Sequence, residues 1–434
     1  MHSINYSQNI PVRAEYDIFI AGGGPAGIAA AATAARKGSK VFLAEGHCCF
    51  GGMGTAAYVP MFMQFGDGQN FLADGFGKEI HDKVLDNGGS LSGKYLTIPA
   101  ESLKRIYDKI ALECGMKFSF MTTLVDVAKE EDKIKYAICH GKSGLFAIEA
   151  SVFIDATGDG DMAARAGAAF DKGDEEGNLM PGTLCSLWAA IDWQAAGPVE
   201  KRNHKEMLEK AFEEGIFTTQ DRHHSGIAPT GKTLGSGNIG HTFGTDGTDE
   251  KSLTKAFIIG RSYLPEYQEY YRRYFKGFEN MELAASGSLL GIRETRRIHC
   301  DYQMKVQDFI DRSKFEDQIG CYCYEVDIHP TTADKKDMEK FTKETETYRY
   351  KKGEYYGIPY RSLIVKGFSN LLVAGRCICS DRYMQSSVRT MPGCFITGQA
   401  AGMAASISSS RNLNLRDINI TELQNNLKKV GAFI

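Results

Sequence analysis

Nowhere in this sequence do about 18 apolar residues run together, so no membrane-spanning helix is expected. The opening residues, MHSINYSQNIPVRAEYD, hold no apolar core of the kind an export signal needs. The formal net charge is only -3, which leaves no basic field for nucleic acid or anionic lipid. The eleven cysteines are an odd number and lack the regular spacing of a disulfide framework. Together these absences predict a cytoplasmic chain with reduced thiols, free of membrane and nucleic-acid partners. Tandem repeats and low-complexity linkers are missing as well.

What the chain has in quantity is glycine, 47 in 434 residues, gathered at turns. Such glycines mark places where backbone must come close to something. The first cluster is the most informative. The apolar run YDIFIA (16–21) reads as a strand and stops at GGGPAG (22–27). An alanine-rich helix over 25–37 follows, then a second apolar strand over 40–45. Strand, glycine turn, helix and strand in about 30 residues open a parallel α/β sheet.

Gly22, Gly24 and Gly27 spell G-x-G-x-x-G, with Pro25 and Ala26 between them, and Glu45 stands at the end of the second strand. Each part has its own reason. Gly22 permits the tight turn, Gly24 lets a pyrophosphate approach the backbone, and Gly27 lets helix and sheet pack closely. Free N–H groups and the helix dipole attract the phosphates. Glu45 is placed to accept hydrogen bonds from ribose hydroxyls. Gly235, Gly237 and Gly240 spell the same motif. TGKT precedes them and HTFGTDGTD follows, so neither strand nor helix flanks that copy, and it is set aside. One dinucleotide turn argues against a dedicated NAD(P)H domain.

Further along, helices are expected over 75–87 and 99–114, short strands over 117–154, and helical segments such as 262–275. The apolar strand signal returns over 369–376, and a helix of small residues covers 394–407. The predicted organisation is a nucleotide-binding domain in two segments, 14–170 and 346–434. A substrate domain of α+β type, 174–345, is inserted between them.

Several stretches taken together resemble the FAD-dependent oxidoreductase family, whose flavin fold is shared with glutathione reductase and the fumarate reductase flavoproteins. They are GGGPAGIAAA, GGMGT (51–55), FIDATGDGD (153–161), LLVAGRCICSDR (371–382) and GQAAGMAA (398–405). GIRETRRI (291–298), TDGTDEKSLTKA (245–256) and YGIPYRSLI (356–364) resemble a subgroup of bacterial members. The resemblance implies a Rossmann-type, three-layer FAD-binding domain with FAD as cofactor. It places Gly51 and Gly52 near the pyrophosphate or flavin, and Thr157 and Gly158 beside the FAD. Gly375 and Arg376 would end the strand that reaches the ribityl chain. The helix entered after Pro392 and Gly393 would aim its start at the flavin.

Four residues are candidates for chemistry. Arg293 sits with Glu294, Arg296 and Arg297, either facing a substrate or belonging to an internal Arg–Glu network. Arg389 lies just before the last helix, at the edge of the active site by resemblance or in a structural ion pair. Arg382 occupies a position where relatives carry histidine. If that histidine is a proton acceptor, this protein lacks it or uses another, with His241 and Asn238 as the alternatives, although a lone histidine is commonly a core residue. Adjacent Cys48 and Cys49 are poorly disposed for redox cycling. The spacing of His47 to Gly51 does not match covalent flavin attachment. The C-x-C pairs at 321/323 and 377/379 lack the convergent ligands of a zinc site, so no metal is expected.

The leading expectation is an enzyme, an FAD-dependent oxidoreductase that transfers a hydride between the flavin and a small polar, anionic substrate bound between the domains. A flavin monooxygenase using external NAD(P)H and oxygen, and a non-redox flavoprotein, are the alternatives. Assembly as a homo-oligomer is left open.

Overall fold

Ile18, Phe19, Ile20 and Ala21 are buried, which marks a strand covered on both faces. This is the end of β1 (Val12–Ala21), and it leads through the glycine turn into α1 (Pro25–Arg36) and then β2 (Val41–Ala44). The computed structural model describes residues 3–198 and 202–434. Proline in the first turn of α1 has no N–H to lose, and the alanines that follow let ten of the twelve helix residues be buried. After β3 (Lys117–Ser119) the chain forms a meander of β4 (Thr123–Glu130), β5 (Lys133–Gly141) and β6 (Gly144–Asp155).

A second body follows. Strands β7 (Ser186–Ala189), β8 (His224–Pro229) and β9 (Gly235–Ile239), helix α2 (Glu250–Tyr274) and strand β10 (Glu282–Ser286) enclose their own core. The four strands form an antiparallel sheet in the order β8-β9-β7-β10. Trp188, Tyr270, Tyr271 and Phe278 fill the core between sheet and helix. The chain then returns through β11 (Leu371–Val373) and the long α3 (Met391–Arg411).

The main sheet joins β3, β2, β1, β6 and β11 in parallel. Ile18 pairs with Val41 on one side and with Val152 on the other. Antiparallel β5 follows β6 through Glu149, and β11 takes the same flank from Phe153 to Asp155. The α/β class with a parallel-rich central sheet is as expected. Parallel strands end at the same edge, so the loops after β1, β6 and β11 open together.

Helix α3 fastens this edge by lying against α1. A Cβ placed on Gly398 lies 2.1 Å from the Ala26 carbonyl oxygen, and one on Gly402 lies 2.2 Å from that of Ala30. Any side chain at either position pushes the helices apart. Gly402→Leu should therefore destabilise the fold by about 3 kcal/mol or more. Urea unfolding followed by circular dichroism checks this, and an unchanged midpoint would refute the close approach.

One expectation needs correction. Helix α2 begins at Glu250, twelve residues before the expected start, because Asp249 caps it by accepting from the Ser252 N–H. Pro265 lies inside the helix and does not start it. The second core draws its buried residues from 184–292. Ile298, Met304, Phe309 and Tyr322 belong to the main core. Pairing of Arg296–Ile298 with Phe170–Lys172, and of Gln318–Tyr322 with Tyr356–Pro359, ties that stretch to the nucleotide-binding body. The second glycine motif begins in β9, in the antiparallel sheet, and opens no helix. Among the described residues no helix is long and apolar enough to cross a membrane.

Candidate active site

A cavity of about 800 Å³ runs along the edge where β1, β6 and β11 end and under the inserted body. That size lies in the range of small-molecule and cofactor sites. Gly22, Gly24, Pro25 and Ala26 form its floor, with Glu45 and Gly52 beside them. Thr157, Gly158, Gly375 and Arg376 form the adjoining wall. The opposite wall comes from the inserted body and the segments after it: His223, Asn238, Leu289–Arg293, Tyr324, Asp327, His329 and Arg389.

The glycine turn is built for close contact. Gly22 has φ +90, and a Cβ there lies 2.6 Å from the Ala156 carbonyl oxygen. A Cβ on Gly27 lies only 1.8 Å from the Gly22 carbonyl oxygen. Gly27 does not line the cavity; it lets α1 start against the turn. Gly24 is the opposite case, since a Cβ there meets nothing within 4 Å. The turn's open side therefore faces the cavity at the start of α1, where N–H groups and dipole favour phosphate. Glu45 is buried at the end of β2. Its Oε2 accepts from the Gly23 N–H at 2.6 Å and its Oε1 from the His47 N–H at 2.7 Å. Each oxygen keeps a second lone pair for a ribose hydroxyl. The cradle therefore fits the dinucleotide part of FAD.

The loop after β6 is held by buried Asp155. Its Oδ1 accepts from the Thr157 N–H and hydroxyl at 3.1 and 2.7 Å, and its Oδ2 from the Ala163 N–H at 2.9 Å. Burial pushes the Asp155 carboxyl up to about 6. Arg376 works as a clamp. It donates to the Gly158 carbonyl at 2.9 Å, the Ile292 carbonyl at 2.8 Å and Asp159 Oδ1 at 2.6 Å. One side chain thus ties β11 to the loop after β6 and to the segment that returns from the inserted body.

The arginine cluster divides residue by residue. Glu294 is fully buried and accepts from Arg297, from Arg382 at 3.1 Å and from the Met180 N–H at 3.0 Å. This is the internal network. Arg382 belongs to it, lies 3.7 Å from Asp174 and does not line the cavity, so it is not placed for contact with substrate. Arg293 points the other way. It is 6% exposed, lines the cavity, and donates only to neutral oxygens: Pro181 O at 2.8 Å, Thr183 Oγ1 at 2.9 Å and Asn238 Oδ1 at 3.3 Å. Among the described residues no carboxylate pairs with it. Burial and the nearby Arg389 lower its guanidinium to about 10. Arg389 also lines the cavity but is paired with Asp327 Oδ2 at 3.2 Å.

His241 lies one layer behind the wall, with its Nε2 3.0 Å from His329 Nδ1. His329 and His223 hold the wall positions instead. Gly51, with φ +97, and Gly393 also stand behind the wall. A Cβ on Gly51 meets Tyr107 at 2.6 Å, and one on Gly393 meets the Val388 carbonyl oxygen at 2.4 Å, so both serve packing. Cys48 and Cys49 line nothing and carry no disulfide. Residues that the sequence did not signal are His223, Asp327, His329 and Tyr324. Their segments carry no glycine pattern or recurrent spacing.

In comparison with known proteins, a 227-residue stretch is 29% identical to thiamine thiazole synthase from Methanococcus vannielii, over 49% of this chain and 79% of that protein. Among solved structures, a geranylgeranyl bacteriochlorophyll reductase-like protein from Thermoplasma acidophilum has a TM-score of 0.48 and 12% identity, covering 97% of this chain and 92% of that one. The p-nitrophenol 4-monooxygenase of Pseudomonas putida has a TM-score of 0.48 and 10% identity, covering 96% of this chain and 85% of that one. The model of the family described as FAD dependent oxidoreductase matches residues 17–427, nearly the whole length, and the chain belongs to that family.

Proposed function

We propose that this enzyme transfers a hydride between a small, polar, anionic substrate and FAD. The observation that carries the proposal is Arg293, a buried guanidinium on the cavity wall with neutral partners only. A buried charge of this kind is costly unless an anion completes it. FAD, when bound, supplies the two-electron acceptor or donor. The chain's own residues do the rest. Gly22, Gly24, Pro25 and Ala26, set by Gly27, hold the pyrophosphate, and Glu45 holds the adenosine ribose. Gly52, Thr157, Gly158, Gly375 and Arg376 shape the channel for the remainder of the cofactor. Arg293 binds the substrate's anionic group, and Arg389 adds positive charge from the side. Asp327, held well below the usual carboxylate range by His329 and Arg389, stays ionised and orients Arg389. The inserted body closes over the substrate and excludes water.

The test is an anaerobic screen of small hydroxy acids, amino acids and their neutral amides, read by bleaching of the oxidised flavin. Carboxylates should bleach the flavin and their amides should do so at least about tenfold more slowly, as removal of one charge-assisted hydrogen bond predicts. Equal rates for acid and amide would remove the anion from the proposal.

A further inference from the structure

Three histidines meet at the cavity wall. His223 precedes β8, His241 follows β9, and His329 lies in the segment after Gln318–Tyr322. One ring nitrogen from each lies within 4.8 Å of the other two. His241 Nε2 and His329 Nδ1 face each other at 3.0 Å.

Carboxylates stand beside the other nitrogens of two of these rings: Asp221 Oδ2 lies 3.2 Å from His241 Nδ1, and Asp327 Oδ2 lies 3.4 Å from His329 Nε2. His241 Nε2 and His329 Nδ1 are left facing one another, at a spacing that one coordinated cation spans.

A hydrogen bond between His241 and His329 accounts for two of the rings and gives His223 no part, although its ring nitrogen lies within 4.8 Å of theirs; a metal ion takes all three. A carboxylate on the far nitrogen of two rings is the outer support that metal-binding histidines commonly have. Metal–nitrogen bonds of about 2.0–2.1 Å set tetrahedral ligand nitrogens about 3.4 Å apart. The His241–His329 pair, at 3.0 Å, is close to that spacing, and all three ligand atoms lie within 4.8 Å of one another.

We propose that His223, His241 and His329 bind one divalent transition-metal ion of the zinc and ferrous-iron class. Three imidazoles suit these ions. Three protein ligands leave open positions, as catalytic sites do. His223 and His329 line the cavity, so those positions face it, in the neighbourhood of Arg293. An anionic oxygen of the substrate fits there. The expectation of no metal rested on the cysteine pairs; these ligands are histidines 18 and 88 residues apart in sequence. Metal content is independent of whether the flavin exchanges a hydride with an anion.

The test uses the FAD-loaded protein. It is stripped with a chelator, incubated with Zn²⁺ or Co²⁺, desalted, and its metal counted against flavin by mass spectrometry. About one metal per flavin is expected, with X-ray absorption of the zinc form showing three imidazole nitrogens at about 2.0 Å. His223→Gln and His329→Gln should each lower the retained metal at least about tenfold while the flavin stays bound. Retention of less than about 0.2 metal per flavin by the wild type would overturn the site. So would a flavin-loaded variant that keeps its metal, or a spectrum without imidazole. If a variant fails to fold, the metal count and the imidazole count of the wild type still decide. Failure of the hydride screen with metal bound would count against the proposed reaction alone.

Discussion

A Gly24→Val protein is expected to fold normally and fail to hold FAD, while Gly27→Val is expected not to fold. The two glycines are three residues apart in one motif, yet they meet different surroundings. At Gly24 the backbone has φ -65 and ψ -175, open to any residue, and a Cβ has no protein atom within 4 Å. A valine there costs the empty chain little. It fills the space against which a pyrophosphate must lie, so FAD affinity should fall by about 100-fold or more, near 2.7 kcal/mol. At Gly27 the added carbon lies 1.8 Å from the Gly22 carbonyl oxygen and 3.3 Å from the Ala156 Cβ. No rotation of a side chain relieves a clash with backbone, and a loss of about 4 kcal/mol or more removes much of a domain's stability. Thermal unfolding of the FAD-free proteins, with flavin titration of those that fold, separates the two. Wild-type FAD affinity in Gly24→Val would refute the pyrophosphate site. A stable, FAD-binding Gly27→Val would refute the tight turn.

Replacement of Arg293 should strike the reaction and spare the cofactor. Arg293→Met keeps the volume and removes the charge. The hydrogen bond this substitution deletes is charge-assisted and shielded from water, worth about 1.5–3 kcal/mol. That corresponds to about 10- to 150-fold in kcat/KM for an anionic substrate. Arg293→Lys should recover part of the activity, because a compact ammonium keeps the charge but lacks the planar fork that reaches Pro181, Thr183 and Asn238. The ratio of flavin to protein should not change in either variant, because Arg293 reaches the cavity from the wall opposite the glycine turn. Stopped-flow reduction of the flavin checks this. Equal rates in Arg293→Met and the wild type would leave the buried guanidinium without a function.

The nucleotide half of the molecule was legible because its chemistry is local. A strand, a glycine turn, a helix start and Glu45 lie within about 30 residues, and each is dictated by a short-range requirement. The opposite wall was legible only in part: Arg293, Arg389 and Asn238 were candidates, but His223, Asp327 and His329 were not, because the fold assembles this wall from distant pieces. His223, Asn238, Arg293, Asp327 and Arg389 come from five segments that share no periodicity. In GIRETRRI the sequence offered two roles for one cluster, and both exist. Gly291 bridges to Thr183, and the irregular chain beyond it sends Arg293 to the cavity and Glu294 into the core. Nothing in the spacing says which of two neighbours faces which way. His241 was the histidine singled out, but the wall positions belong to His223 and to His329, its partner 88 positions later.

The seating of Gly398 and Gly402 against Ala26 and Ala30 has a consequence for biosynthesis. The motif that greets the cofactor lies at 22–27, but its supporting helix, Met391–Arg411, is translated far later. Until the tail of the chain clears the ribosome exit tunnel, the early segment lacks both β11 and the helix that braces it. At about 5–20 residues per second, that delay leaves the nascent N-terminal segment incomplete for tens of seconds. The cradle for the cofactor is therefore finished only once α3 has been made and packed against α1.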